Sequence, residues 1–259
     1  MNKLEEQNKL KEPRLLHHSE LDSTNKFLQM ISEEREYPSG TVILADYQTE
    51  GRGQAGNSWE SERGKNLTFS VLLYPVDLPA NKSFVISEMA SLCVKYTLDQ
   101  YLPDISVKWP NDVYYEDRKI SGILIENKVI RSKIARSVIG IGINVNQMTF
   151  SPNIPNPVSM AQITGSPTCF DRMDVMDDFR PIFAQQSERL NQRCYDAIHN
   201  DYLDAIYRKE GYHKYARDKE VFDAKIYDIE PDGRLILERT DGSRSGYAFK
   251  EVTYVLENT

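Results

Sequence analysis

The chain is poor in histidine. His17, His18, His199 and His213 are the whole complement, and none lies between Ser19 and Ile198. A site built inside that stretch has no imidazole for proton transfer or metal ligation. It must work with lysine, arginine, carboxylates, amides and backbone N–H groups, which suit the holding of anions and of developing charge. Cysteine is equally sparse. Cys93, Cys169 and Cys194 are odd in number, far apart and without a CxxC spacing. That excludes a disulfide framework and a cysteine zinc site, and predicts reduced, mostly buried thiols. Basic charge is short as well, with 32 Lys+Arg against 39 Asp+Glu and a formal net charge of −7. This argues against general nucleic-acid binding, which leaves a basic footprint. No apolar run approaches the roughly 18–20 residues of a membrane span. The first thirty residues are Lys-, Glu- and Gln-rich and lack the apolar core of a secretory signal. The expectation is a cytoplasmic protein with no membrane partner.

What is present is globular. The chain has 259 residues, 40 % of them hydrophobic and 10 % aromatic, enough for one large domain or two unequal ones with a real core. Leu15–Leu21, Thr41–Tyr47 and Leu67–Leu73 read as strands, and Asp22-Ser23-Thr24 offers N-caps for a helix over Asn25–Glu34. Apolar residues at Phe84, Ile86, Met89, Ala90, Cys93, Val94 and Leu98 give a helical stripe within Ser83–Tyr101. Ser106–Trp109, Asp112–Tyr115, Ile120–Asn127 and Ser132–Asn144 read as strands. The three-proline stretch Met148–Ser159 reads as a loop, and residues 171–208 as one or two helices. After Gly211 the texture changes to period-2 alternation with turns at Pro231-Asp232-Gly233 and Asp241-Gly242. The fold class is therefore α+β, with a domain over 1–210 and a small β domain of about five strands over 211–259 that resembles an SH3-like barrel.

Three segments carry chemistry. Gly51-Arg52-Gly53-Gln54-Ala55-Gly56 matches the formal pattern of a dinucleotide fingerprint. The sequence after it reads as loop then strand, not as the helix such a site needs. Extended to Asn57-Ser58 it imitates a phosphate-binding P-loop, with Asn where the lysine belongs. What survives is a glycine loop that can approach a ligand, with a charge at Arg52 and an aromatic wall at Trp59; an ordinary surface loop also fits. The second segment, Lys108 to Arg136, has seven basic and four acidic residues, a surplus of +3 that leaves −10 for the rest. A locally basic segment suits an anionic ligand, though a solvated charged hairpin also fits. It contains Trp109-Pro110-Asn111-Asp112, then Lys119 and Gly122. The third segment, Ile139 to Asn146, alternates Gly with Ile along a strand, which calls for close approach by a ligand or by another element.

Taken together, these segments resemble biotin protein ligases. The match runs through Asp22-Ser23-Thr24-Asn25 and Gln48-Thr49-Glu50-Gly51-Arg52-Gly53-Gln54-Ala55-Gly56-Asn57-Ser58-Trp59. It continues through Lys108-Trp109-Pro110-Asn111-Asp112, Arg118-Lys119-Ile120-Ser121-Gly122-Ile123-Leu124 and Gly140-Ile141-Gly142-Ile143-Asn144, across about 120 residues in order. The resemblance implies a mixed-sheet catalytic domain of the biotin/lipoate ligase, class II synthetase-like type, carrying the small SH3-like barrel. It implies activation of biotin by ATP to biotinyl-AMP, then transfer to a lysine of a biotin carboxyl carrier domain. Lipoate ligation on the same fold is the alternative, and the ureido-binding set speaks against it.

By that resemblance Lys119, Arg52 and Asp112 are catalytic. Ser23, Thr24, Asn25, Gln48, Gly51, Arg52, Lys119, Gly122 and Gly140 bind biotin. Arg52, Gln54, Trp59, Lys108, Asn111, Asp112 and Asn144 face the nucleotide, and Asp112 and Asn144 hold Mg²⁺. Asp112 as acceptor of the target lysine's proton stays open beside that. Many family members have a second arginine where this chain has Gln54. Arg63 or Lys65 is expected to compensate, since a neutral amide cannot replace a bidentate guanidinium. Only about a dozen residues precede the first strand, so the chain resembles the monofunctional class without a DNA-binding domain, and no DNA partner is expected. Family members occur as monomers and as homodimers along a sheet edge, and both remain open.

Overall fold

The computed structural model describes residues 12–165, 169–218 and 220–255. A seven-stranded mixed sheet forms from β1 (Leu15–His18), β2 (Val42–Ala45), β3 (Leu67–Leu73), β4 (Ile105–Lys108), β5 (Asp112–Tyr115), β6 (Arg118–Ile130) and β7 (Lys133–Ile143). Its order is β1-β2-β3-β7-β6-β5-β4. Only the β1–β2 pair is parallel; the other pairs are antiparallel. The strand alternation sorts side chains onto two faces. Val42 and Leu44 of β2 join a large core with Leu67, Phe69, Val71, Ile139, Ile141 and Ile143. Ile43, Leu72 and Val138 point the other way and pack with Leu28.

The large core lies under three helices: α2 (Phe84–Leu98), α4 (Arg172–Asn191) and α5 (Tyr195–Asp204). The opposite face carries α1 (Thr24–Glu34), whose Phe27, Leu28 and Ile31 cover the smaller cluster. Ser23 occupies the N-cap position of α1, yet its side chain makes no capping hydrogen bond; the expectation of a capping side chain fails there. A short helix α3 (Met160–Thr164) follows the proline loop. It was not anticipated, although Ser159 and Gln162 form a capping box with bonds of 3.2 and 3.0 Å. After Gly56 no helix opens; residues 54–56 form a single 3₁₀ turn.

The chain ends in a second sheet, antiparallel, made of β8 (His213–Arg217), β9 (Glu220–Ile229), β10 (Leu235–Arg239), β11 (Arg244–Tyr247) and β12 (Thr253–Tyr254). Its order is β11-β10-β9-β8-β12. Both expected turns are present, with Gly233 and Gly242 at φ +92° and +82°, where a side chain would be strained. The two sheets meet along a seam. Trp109 Nε1 donates to the Gly233 carbonyl at 2.9 Å, and its ring meets Phe249 edge-on at 6.3 Å. His199 of α5 bridges Glu88 of α2 and Asp228 of β9 at 2.7 and 2.9 Å. Of the cysteines Cys93 is buried, Cys194 half-buried and Cys169 exposed, so the thiols are reduced as expected but not mostly buried. No helix among the described residues is long and apolar enough to cross a membrane.

Candidate active site

A cleft of about 730 Å³ opens on the α1 face of the large sheet. Its floor is a stretch of sheet nearly stripped of side chains. Gly122 of β6 pairs with Gly142 of β7, and Gly140 pairs with Leu124. The room left by these glycines is partly taken by the site's own residues. A β-carbon at Gly140 would fall 2.9 Å from Cγ of Asn25, and one at Gly142 would fall 2.6 Å from Nε1 of Trp59. The Gly/Ile alternation thus meets close approach by other elements. Gly140 and Gly142 line the cleft, and Asn25 and Trp59 need their bareness. Gly51 lies outside the lining; there a β-carbon would collide with the Trp59 carbonyl.

The start of α1 forms one wall. Ser23, Thr24 and Asn25 are all buried. Gln48 Oε1 accepts from the Thr24 backbone N–H at 2.8 Å and from its hydroxyl at 3.0 Å. Ser70 Oγ bonds Thr24 Oγ1 at 2.7 Å and Asn25 Oδ1 at 2.5 Å. This polar lattice presents several groups to one small volume.

The glycine loop forms the lid. Arg52 and Ser58 pair as an isolated bridge, and the Trp59 N–H donates to the Gly51 carbonyl at 3.0 Å. The loop is thus a small hairpin anchored by Trp59 over the glycine floor. Arg52 makes a two-pronged ion pair with Glu126 of β6, Nη1–Oε1 3.1 Å and Nη2–Oε2 2.8 Å, while its Nε is buried without a partner.

Opposite lie Asp112 and Lys119, with Nζ 2.6 Å from Oδ1. A bulge between β5 and β6 makes that contact. Asp112 pairs with Gly122 and Val113 with Ser121, but Tyr114 pairs with Lys119, leaving Ile120 as the extra residue. The extra residue turns Lys119, at an odd offset from Gly122, onto the same face. Lys119 also lies 5.9 Å from the Trp59 ring centroid. Asn111 lines the cleft and donates its amide to the Ile123 carbonyl.

A second groove, of about 1120 Å³, continues past Lys119 and Trp59. Asn144 and the proline loop with Phe150, Ile154 and Pro157 line it. Asn144 donates to the Val158 carbonyl at 3.1 Å, and its Oδ1 is buried without a partner. No group of three or more His, Cys, Asp or Glu side chains is gathered for a metal among the described residues. Asp112 in the cleft and Asn144 in the adjoining groove offer a carboxylate and an unpartnered amide oxygen, the donor class of Mg²⁺, which keeps several waters and takes further oxygens from phosphates.

The structure thus brings Ser23, Thr24, Asn25, Gln48, Arg52, Gln54, Trp59, Asn111, Asp112, Lys119, Gly122 and Gly140 to one cleft. Lys108 is not there. Its Nζ bonds the Tyr114 hydroxyl at 3.0 Å and sits 5.0 Å from the Tyr254 ring, in the seam. Gln54 Oε1 is buried and unpartnered. The two cations expected to compensate for it do not line the cleft. Arg63 pairs with Glu20, donates to the Ser19 carbonyl at 3.2 Å and stacks on Tyr47 at 4.5 Å. Phe69 and Phe249 in the lining and Glu126 behind it lay outside the expected set. Glu126 was signalled weakly, four residues after Gly122 on the same strand face. Phe249, from the turn between β11 and β12, carried no sequence signal.

Residues 19–144 match the model of the Biotin/lipoate A/B protein ligase family. That stretch is 126 of the 259 residues. The bifunctional ligase/repressor BirA of Bacillus subtilis is 27 % identical over 248 residues, covering 90 % of this chain and 72 % of that protein. The biotin–[acetyl-CoA-carboxylase] ligase of Mycobacterium tuberculosis is 36 % identical over 115 residues, 42 % of this chain and 40 % of that one. Among solved structures, the biotin protein ligase of Aquifex aeolicus in complex with biotin and ATP superposes with a TM-score of 0.71 at 25 % identity, covering 93 % and 97 % of the two chains. That superposition extends over both sheets.

Proposed function

We propose that this chain is an ATP-dependent biotin ligase acting on a lysine of a biotin carboxyl carrier domain. The observation that carries the reading is the cleft itself. A buried polar lattice shares the cleft with two cations over a floor of glycines, Arg52 joined to the lattice through Glu126 and Lys119 lying beside Asp112. In the first step a biotin carboxylate oxygen attacks the α-phosphorus of ATP, forming the acyl phosphate bond as pyrophosphate leaves. In the second the acceptor lysine's amine attacks the acyl carbon, and AMP leaves with the bonding electron pair.

Ser23, Thr24, Asn25 and Gln48 take the ureido ring, whose buried polar atoms need partners. A lipoate ring would leave those groups unpaired. Gly122 and Gly140 admit the ligand to the backbone, and Trp59 covers it. Arg52 and Lys119 neutralise the charge that collects between carboxylate and phosphate. Gln54, Asn111 and Asp112 face the nucleotide, together with Asn144 from the adjoining groove. Lys108, turned into the seam, and Gly51, which serves the hairpin, drop out of the direct contacts. Bound Mg²⁺ would be held by Asp112 and Asn144 and would offset phosphate charge. We read 1–210 and 211–259 as two domains, the second an SH3-like barrel. Pyrophosphate release from ATP with biotin, compared with lipoate, tests the reading; release with lipoate alone refutes it.

A further inference from the structure

One charged residue at the cleft has no role in the assignments above. Glu126 lies on β6, seven residues after Lys119. Both terminal nitrogens of Arg52 end on its carboxylate, at 3.1 and 2.8 Å. Oε2 also accepts from Asn25 Nδ2 at 2.8 Å. Asn25 is fixed further by the Leu124 carbonyl, which accepts from Nδ2 at 3.3 Å, and by Ser70 Oγ at 2.5 Å. One carboxylate thus ties the lid hairpin and the start of α1 to a single strand.

We propose that Glu126 is a positioning residue that holds Arg52 and Asn25 together in the ligand-facing arrangement, without itself touching substrate. The two-pronged pair uses the end of the guanidinium and leaves its side. The pair takes one N–H from each terminal nitrogen, so three of the five guanidinium N–H groups remain for an acid group arriving in the cleft, the unpartnered Nε–H among them. A guanidinium held at two points loses little further freedom when it meets that group. An unheld Arg52 on a glycine-flanked hairpin would have to be ordered at each binding event. The carboxylate also keeps the cation from being desolvated alone before ligand arrives.

The inference rests on the biotin-ligase reading, and its test separates the two. Wild-type protein is first assayed for pyrophosphate release with biotin and ATP; failure there removes the reading, not the pairing. Glu126→Ala and the isosteric Glu126→Gln are then compared, alone and with Arg52→Ala. Expected are a rise of tenfold or more in KM for biotin for Glu126→Ala, a smaller rise for Glu126→Gln, and melting temperatures close to wild type. In the Arg52→Ala background the effect of Glu126→Ala should shrink to the part carried by Asn25, severalfold at most. Wild-type kinetics in both Glu126 variants would overturn the proposal. So would penalties that multiply fully with that of Arg52→Ala, because independent structural damage would do that and positioning would not.

Discussion

Gly140→Ala tests how tightly the site is built. A β-carbon at residue 140 would lie 2.9 Å from Asn25 Cγ and closer still to Oδ1. Asn25 cannot retreat cheaply. It is 3 % exposed, and the Leu124 carbonyl, Glu126 and Ser70 hold its side chain. Overpacking of this kind costs about 1–3 kcal/mol, and losing one or two of the buried hydrogen bonds adds about 1 kcal/mol each. The sum, about 2–5 kcal/mol, lowers the melting temperature of a domain this size by roughly 4–20 °C. Biotin affinity, read by calorimetry, should fall in parallel, since Asn25 is in the ligand-facing wall. Gly142→Ala is the control. It collides with Trp59, which sits on a hairpin that can lift, so binding should suffer more than melting. A Gly140→Ala protein that melts and binds like wild type would refute the claim that Asn25 is fixed. A Gly142→Ala protein destabilised as much as Gly140→Ala would refute the distinction between a rigid wall and a movable lid.

Three further outcomes are expected. Lys119→Ala should lower the rate of pyrophosphate release by about 10²–10³-fold, the scale of losing one charge-stabilising group, with little change in melting; retained activity removes Lys119 from its role. Gln54→Arg should reduce the release of free adenylate and the labelling of bystander proteins by purified enzyme, since neither Arg63 nor Lys65 lines the cleft; equal release in both proteins refutes that. His199 is held mainly by its bond to Glu88, with Asp228 on the other ring nitrogen, and its pKa is raised to about 9. A raised histidine pKa stabilises the fold below the unfolded value near 6.5 and loses that contribution as pH rises through 9. Unfolding by urea should therefore become easier between about pH 6.5 and 9, by at most about 3 kcal/mol given the exposure of Asp228. His199→Gln should abolish that slope, and an unchanged slope would assign it to other groups.

Strand and helix positions were readable where the period was clean. The buried run Thr41–Tyr47, the stripe along Phe84–Leu98 and the Pro231-Asp232-Gly233 turn all appear close to where patterning put them. What escaped depended on events between segments. The β5–β6 bulge cannot be read from spacing, because it is the pairing partner that leaves Ile120 over. Lys119 was found as a residue, but its orientation was not. Glu126 looked like any charged strand residue until α1 and the lid were laid across β6. Phe249 reaches the cleft only because the second sheet packs at Trp109, a contact with no local signature. Lys108 lies outside the cleft for the converse reason. A cation beside WPND suited an anion, but Tyr114 and Tyr254 offered it aromatic faces in the seam.

The histidine-free centre acquires a sharper meaning from the two ion pairs. Each cation of the cleft already carries its own carboxylate: Arg52 with Glu126, Lys119 with Asp112. The cleft is thus held close to neutral although the segment around Lys119 carries a basic surplus, which spares each cation the cost of standing alone in a partly dry pocket. An arriving acid group or phosphate meets the two pairs differently. Glu126 holds the end of a guanidinium whose side remains open, so Arg52 can bind without giving up its partner. Lys119 is a point charge 2.6 Å from Asp112, and turning toward a phosphate weakens that contact. On the proposed reading, Asp112 is then the group set free by substrate binding. Its carboxylate would become available, for a cation or for a proton, only after the anion has arrived. The same pair that neutralises the cleft would therefore order the chemistry, with charge stabilisation first and the carboxylate second.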